Sequence, residues 1–256
     1  MTGDSRRTFG VRLQTHVWNP AGDKRALLLH GLGSDGTSWW RIASELARSG
    51  WMCVAPDLRS HGRSPGADDH RLDAMAADVA LLGDGWDVVV AHSLGGAVAA
   101  RLLDDGDTGR FTGGGVLIDP VLHVPDTAIE ELRALVRADC GELDPAAIRQ
   151  AHPRWHERDV QRKVLAARLV TPDVVDGTID DNRPWDLTDT VARWRTPVHV
   201  LIAGNERAST VTSHARVALD ANPAVTVTVV AGTDHSVHRD APDVVLAAVD
   251  EVLAQR

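Results

Sequence analysis

Short, nearly unbroken apolar runs alternate with amphipathic stretches along most of the chain. The runs are 25–30 (RALLLH), 51–56 (WMCVAP), 86–91 (WDVVVA), 115–119 (GVLID), 198–203 (VHVLIA) and 225–230 (VTVTVV). Runs of this kind read as strands buried on both faces, as in a parallel sheet. Residues 11–18 alternate instead and read as an edge strand. Helical spacing appears over 38–48, where Trp39, Ile42 and Leu46 share a face, and over 72–82, 93–103 and 242–253. Strands that alternate with helices imply right-handed crossovers and a doubly wound α/β sheet with helices on both faces.

One stretch departs from that rhythm. Residues 121–190 carry no strand pattern but show helical ones over 127–137, 145–151 and 158–169. Because the stretch lies between two predicted strands, it reads as a helical cap inserted into a core made of 1–120 and 191–256.

Bulk properties narrow the function classes. A length of 256 residues suits one large α/β domain with an insertion. The net charge is −9 and no basic stripe is evident, so a nucleic-acid partner is not expected. Two cysteines, Cys53 and Cys140, are too few for a disulfide scaffold, and Cys53 reads as a reduced core thiol. Residues 1–10 are polar, include Arg6 and Arg7, and have no apolar stretch of the signal-peptide kind. No run reaches the roughly 18 apolar residues of a membrane span. A soluble cytoplasmic protein is the expectation.

Three local sequences carry candidate chemistry. In Ala91-His92-Ser93-Leu94-Gly95-Gly96 a strand ends, a sharp turn presents Ser93, and a helix begins, which fits a nucleophile elbow. Such a turn brings neighbouring backbones close, so the residues two before and two after the serine must be small; here they are Ala91 and Gly95. The free N–H of Leu94 at the helix start can stabilise an oxyanion. The plainer reading makes Ser93 a helix N-cap. His30-Gly31-Leu32-Gly33 follows a strand and can offer a second donor, the N–H of Leu32 ahead of that of Gly33. The same loop, 31–36 (GLGSDG), matches the dinucleotide fingerprint, with Asp57 about twenty residues on, but that reading leaves Ser93 and His235 unexplained. His235, beyond the last strand, can reach over the strand ends as the base that a serine hydroxyl needs, with His238 a nearby competitor. The orienting acid is open between Asp119, one strand after the serine, and Glu206, after the following strand.

Taken together, His30-Gly-Leu-Gly, the run Asp57-Leu-Arg-Ser-His61-Gly-Arg-Ser64, the Ser93 elbow and Gly-Thr-Asp-His235 resemble the α/β-hydrolase fold superfamily, in matching order over about residues 9 to 254. The resemblance implies a mostly parallel sheet of about eight strands, a cap over the active site, and no cofactor. Many relatives carry the acid after the strand before the last, where this chain has Arg207. Others carry it one strand earlier, where this chain has Asp119 in a Leu-Ile-Asp-Pro setting, so the resemblance favours Asp119 over Glu206. It also implies that the Asp57–Ser64 run is structural.

The expected activity is hydrolysis of a small-molecule carboxylic ester or lactone through an acyl-enzyme on Ser93. Two other readings compete: a non-catalytic receptor on the same fold, and a C–C hydrolase, cofactor-free peroxidase or acyltransferase using the same residues. Aromatic usage is unusual, with eight Trp, two Phe and no Tyr. Trp39, Trp155 and Trp185 are candidates for lining an apolar substrate pocket, against the alternative that they pack the interior. His152 and His156, four apart, have no evident third metal ligand, so no metal site is expected.

Overall fold

Alternate residues of each inner strand face opposite sides of one sheet, so an unbroken apolar run feeds two cores at once. Leu27, Leu29, Val89, Ala91, Leu117 and Val200 belong to one core, and Ala26, Leu28, Val88, Val90, Val116 and Leu201 to the other. In the computed structural model, which describes residues 10–104, 110–111 and 113–255, seven strands form this sheet. They are β1 (Thr15–Trp18), β2 (Lys24–Leu29), β3 (Trp51–Pro56), β4 (Val88–His92), β5 (Gly115–Ile118), β8 (Val198–Ala203) and β9 (Val225–Val230). Their order is β1-β3-β2-β4-β5-β8-β9, with β1 antiparallel to β3 and every other pair parallel. That is one strand fewer, among the described residues, than the resemblance implies. The polar stretch 1–9 read in the sequence lies outside them.

Helices cover both faces. Helix α1 (Trp40–Arg48) and α11 (Pro242–Leu253) close one core; α2 (Leu72–Ala80), α3 (Leu94–Leu103), α8 (Thr188–Arg193) and α9 (Ser213–Ala221) close the other. Cys53 is fully buried, and burial pushes its thiol up to about 12, which keeps it an inert core thiol.

Between β5 and β8 the chain inserts α4 (Ile129–Ala138), α5 (Pro145–Ala151), α6 (Glu157–Ala167) and α7 (Pro172–Asp180). The insert leaves and re-enters through a short antiparallel pair, β6 (His123–Val124) and β7 (Trp185–Asp186). This pair corrects the reading of 121–190 as free of strands: two residues per strand are too few to show a period. Helix α8 packs on α3 and α9, so it belongs with the sheet although its first residues fall inside the expected cap. Arg133 bridges α4 to Asp176 and Asp180 of α7. Polar contacts seat the insert on the sheet domain. Trp40 Nε1 donates to Asp159 Oδ1 at 2.7 Å, and the Leu72 and His70 amides donate to Asn182 and Asp181. A short helix, α10 (Val237–Asp240), lies between β9 and α11.

The strand order reverses direction between β2 and β4. The chain runs from β2 outward to β3 and then returns to β4 on the other side of β2. Loops that leave such adjacent strands in opposite directions open a crevice at their carboxyl ends, the usual ligand site of open α/β sheets. The segments after β2 and β4 are those carrying Gly31 and Ser93.

Candidate active site

Ser93 stands at φ 54°, ψ −117°, a conformation that L-residues avoid and that costs on the order of 1–3 kcal/mol. Its surroundings hold it there. Ser93 N–H donates to Ile118 O at 3.0 Å, while Ser93 O accepts from Ala97 N–H at 3.2 Å and Val121 N–H at 3.3 Å. The side chain makes no capping hydrogen bond to α3, which removes the reading of Ser93 as a helix N-cap. Close packing explains the small neighbours: a Cβ on Gly95 would sit 2.4 Å from Leu29 O and 2.6 Å from His30 O.

The loop after β2 runs beside the serine. A Cβ on Gly31 would lie 3.0 Å from Ser93 Cβ and 2.9 Å from His92 Nδ1, so glycine lets this loop pass. His30 fixes it from beneath. Its Nε2 accepts from Leu58 N–H at 2.9 Å, so its Nδ1 carries the proton and donates to Gly31 O at 2.9 Å. Burial lowers the His30 pKa and keeps this ring neutral. The next residue, Leu32, is half-buried. Leu94, the first residue of α3, is buried, and its N–H has no acceptor within the helix.

Asp57 is the other support of this loop. Its Oδ1 accepts from Gly36 N–H at 2.8 Å and from His16 Nε2 at 2.9 Å, and its Oδ2 accepts from Arg63 N–H at 2.9 Å. Burial pushes its pKa up, but these hydrogen bonds outweigh burial and hold the carboxyl at about 2. Both carboxylate oxygens therefore serve the chain itself. The dinucleotide reading of 31–36 with Asp57 gives way to a structural one, in which the glycine-rich loop is pinned to Asp57.

At the end of β5, Asp119 also takes a positive φ, 42°, which turns its carboxylate inward to zero exposure. His235 Nδ1 lies 2.6 Å from Asp119 Oδ2. Four further groups donate to the same carboxylate: Ala203 N–H at 3.1 Å, Ser209 Oγ at 2.7 Å, Thr210 N–H at 2.9 Å and Thr210 Oγ1 at 3.2 Å. Burial raises the Asp119 pKa, yet His235, Ser209 and Thr210 more than compensate, so the carboxyl stays ionised below its usual range. Glu206, the alternative acid, is exposed on the loop after β8, while His235 Nδ1 is occupied by Asp119.

His235 is steadied from behind as well. His92 Nε2 donates to His235 O at 3.0 Å, and the His92 ring lies between those of His235 and His238, with centroids 4.6 and 4.5 Å away. Burial, with the charges of neighbouring histidines and Arg239, pushes the His92 pKa well below the usual range. His238, the competing base, is likewise buried, neutral and packed on Trp39 at 5.0 Å. The sequence reading missed the roles of His92, Gly31, Ser209 and Thr210. Only His92 and Gly31 carried a signal, their adjacency to Ser93 and to His30.

The tryptophans separate into two kinds. Trp39 is fully buried against His238, and Trp185 is buried with Nε1 donating to Val121 O at 2.9 Å. The expectation that both line a substrate pocket is corrected: they pack the interior. Trp155 remains half-buried, stacked on His152 at 4.1 Å and under the Arg239 guanidinium at 4.5 Å. His156 is turned elsewhere, with Nδ1 accepting from Arg158 N–H at 3.0 Å to cap α6, so His152 and His156 serve separate packing roles.

The profile of the Alpha/beta hydrolase family matches residues 26–248. The chain belongs to that family. A lipase, LipV of Mycobacterium tuberculosis, is 35% identical over 163 residues, 62% of this chain and 61% of that protein. The chain spans between about half and three fifths of the length of the first curated relatives it matches. Among solved structures, an E-2-(acetamidomethylene)succinate hydrolase superposes with a TM-score of 0.81 at 20% identity, covering 94% of this chain and 95% of that one. Est816, an N-acyl homoserine lactone degrading enzyme, superposes at 0.73 with 20% identity, covering 94% and 96%. At such identities these two matches speak for the fold alone. No helix among the described residues is long and apolar enough to cross a membrane.

Proposed function

We propose that this family member is a serine hydrolase of small carboxylic esters or lactones, with Ser93 as nucleophile, His235 as base and Asp119 as the acid that orients it. The observation that carries the reading is the 2.6 Å contact between His235 Nδ1 and a fully buried, multiply hydrogen-bonded Asp119, at the same end of the sheet as the strained Ser93 elbow. An ionised Asp119 fixes the tautomer with Nδ1 protonated, which leaves Nε2 as the lone-pair nitrogen.

In this scheme Ser93 Oγ attacks the acyl carbon while His235 Nε2 takes its proton. The carbonyl oxygen becomes an oxyanion held by the N–H groups of Leu32 and Leu94. Asp119 stabilises the imidazolium, which then protonates the departing alkoxide as the C–O bond breaks. Water, deprotonated by His235, cleaves the acyl-enzyme and regenerates Ser93. The insert, 121–190, acts as a cap over this end of the sheet. The ester class is supported by the serine in the elbow and by the likeness to the lipase; a lactone is an internal ester, open to the same attack by an activated serine.

The test is a fluorophosphonate probe followed by intact-mass measurement on the parent chain and on Ser93→Ala. One adduct on the parent and none on the variant is expected. Folded parent protein that takes no adduct, and turns over no ester or lactone, would overturn the assignment in favour of a ligand receptor. A competing alcohol that diverts the acyl group into a new ester would identify acyl transfer.

A further inference from the structure

Two residues beyond Val121, whose N–H donates to Ser93 O, the neck of the insert gathers a second constellation. His123 on β6 faces its register partner Asp186 on β7, and His214 in the first turn of α9 closes over both. One ring nitrogen from each histidine and one Asp186 oxygen all lie within 4.8 Å of one another. We propose that His123, Asp186 and His214 form a binding site for a divalent transition metal ion of the zinc type, which clamps the insert's neck to the sheet domain. The inference is independent of the serine-hydrolase reading.

Two features distinguish this cluster from a chance grouping on the surface. The first is spacing. His214 Nε2 lies 3.2 Å from Asp186 Oδ2. A tetrahedral ion with bonds of about 2.0–2.2 Å separates its ligands by roughly 3.3–3.4 Å, so one ion can touch both atoms with almost no rearrangement. The two imidazole rings stand 4.6 Å apart, and the His123 ligand nitrogen lies within 4.8 Å of the other two ligand atoms.

The second is support from outside the cluster. Asp186 Oδ1 is held by Thr188, whose N–H donates at 2.9 Å and whose hydroxyl donates at 2.7 Å, so Oδ2 is the oxygen left for the histidine side. His123 Nδ1 lies 3.0 Å from Thr212 Oγ1, which also accepts from Ala215 N–H as the cap of α9. With Nδ1–H donating to that hydroxyl, Nε2 is the free ligand atom. Metal-binding histidines are typically oriented by an oxygen partner of this kind on the other ring nitrogen. Two neutral imidazoles and one carboxylate suit a borderline dication better than calcium or magnesium, which prefer all-oxygen shells. Asp186 and His214 are exposed, so water can complete the coordination.

The three ligands come from both strands of the neck and from α9, so a bound ion joins the two ends of the insert to the sheet domain. Zinc should therefore raise the melting temperature of the whole chain, since a ligand that binds only the folded state stabilises it.

The experiment uses the full chain stripped with a chelator and desalted. Titration with zinc chloride by calorimetry should give one ion per chain at micromolar affinity. His214→Ala and Asp186→Asn, both at exposed positions, should keep their circular dichroism and weaken binding by at least the ~10- to 100-fold that outer partners alone command. Zinc should raise the melting temperature of the parent and not of His214→Ala. Binding that is absent at millimolar zinc would overturn the proposal. So would equal affinity in parent and variants, which would place the ion elsewhere, for instance on His235.

Discussion

Asp119 and His235 lie 116 positions apart in the chain and 2.6 Å apart in the fold. What brings them together is the left-handed turn that Asp119 makes at the end of β5, which aims its carboxylate across the neighbouring strand end toward the loop after β9. Asp119→Asn should therefore cut kcat by about 10³–10⁴ while leaving the fold in place, because a neutral amide no longer enforces the productive tautomer. Glu206→Gln, at an exposed position, should change kcat little. Steady-state kinetics on an activated ester checks both, and the reverse ranking in folded variants would remove Asp119 from the triad.

The frame of this site was open to reading because buried parallel strands and a nucleophile elbow impose composition. Strand runs must be apolar on both faces, and the turn at Ser93 admits only small residues at Ala91 and Gly95. The shell around Asp119 was not open in the same way. Ser209 and Thr210 are two polar loop residues among many, and only the three-dimensional path of the loop after β8 brings them to the carboxylate. The neck of the insert escaped for a related reason, since two-residue strands carry no period. Trp39 and Trp185 were misplaced because a tryptophan in a loop or insert looks the same in sequence whether it lines a pocket or fills the interior.

The hydrogen bonds at Asp57 predict a pH dependence. Its folded pKa, about 2, is lower than the value near 3.8 that it has when unfolded. A depressed carboxyl contributes stability that is present above the unfolded pKa and lost as pH falls through the folded one. Linkage puts this contribution at about 2 kcal/mol at neutral pH, disappearing between about pH 4 and pH 2. Denaturant unfolding of the parent and Asp57→Asn across that range should show their stability difference shrinking as pH drops. A difference that stays constant would mean that Asp57 acts through shape and not charge.

Helix α3 approaches β2 as closely as it does because Gly95 has no side chain. Gly95→Ala forces a methyl to within 2.4 Å of Leu29 O, a contact with backbone that no rotamer can relieve. Separating the two elements should destabilise the chain by about 3 kcal/mol and displace Ser93, lowering activity even in molecules that fold. Gly66→Ala, where an added Cβ meets nothing within 4 Å, is the matched control and should be close to neutral. Urea midpoints for the two variants give the comparison.

Trp155 joins the insert to the loop that carries His235. Its Nε1 donates to Asp240 Oδ1 at 3.1 Å, while Asp240 Oδ2 accepts from Asp234 N–H, next to His235, at 2.8 Å. Through Asp240, the position of the insert and that of the base are linked. Trp155→Phe removes the N–H but keeps a ring between His152 and Arg239; Trp155→Ala removes both. If the residue acts by holding the loop, the two variants should lower kcat/KM by a similar factor for every ester tested, within about tenfold, since one net hydrogen bond is worth about 1 kcal/mol. If it touches substrate, Trp155→Ala should instead reorder the preference between bulky and small acyl groups, and Trp155→Phe should not. Kinetics on a short ester panel distinguishes the two, and the tethering of the half-buried indole to Asp240 favours the first outcome.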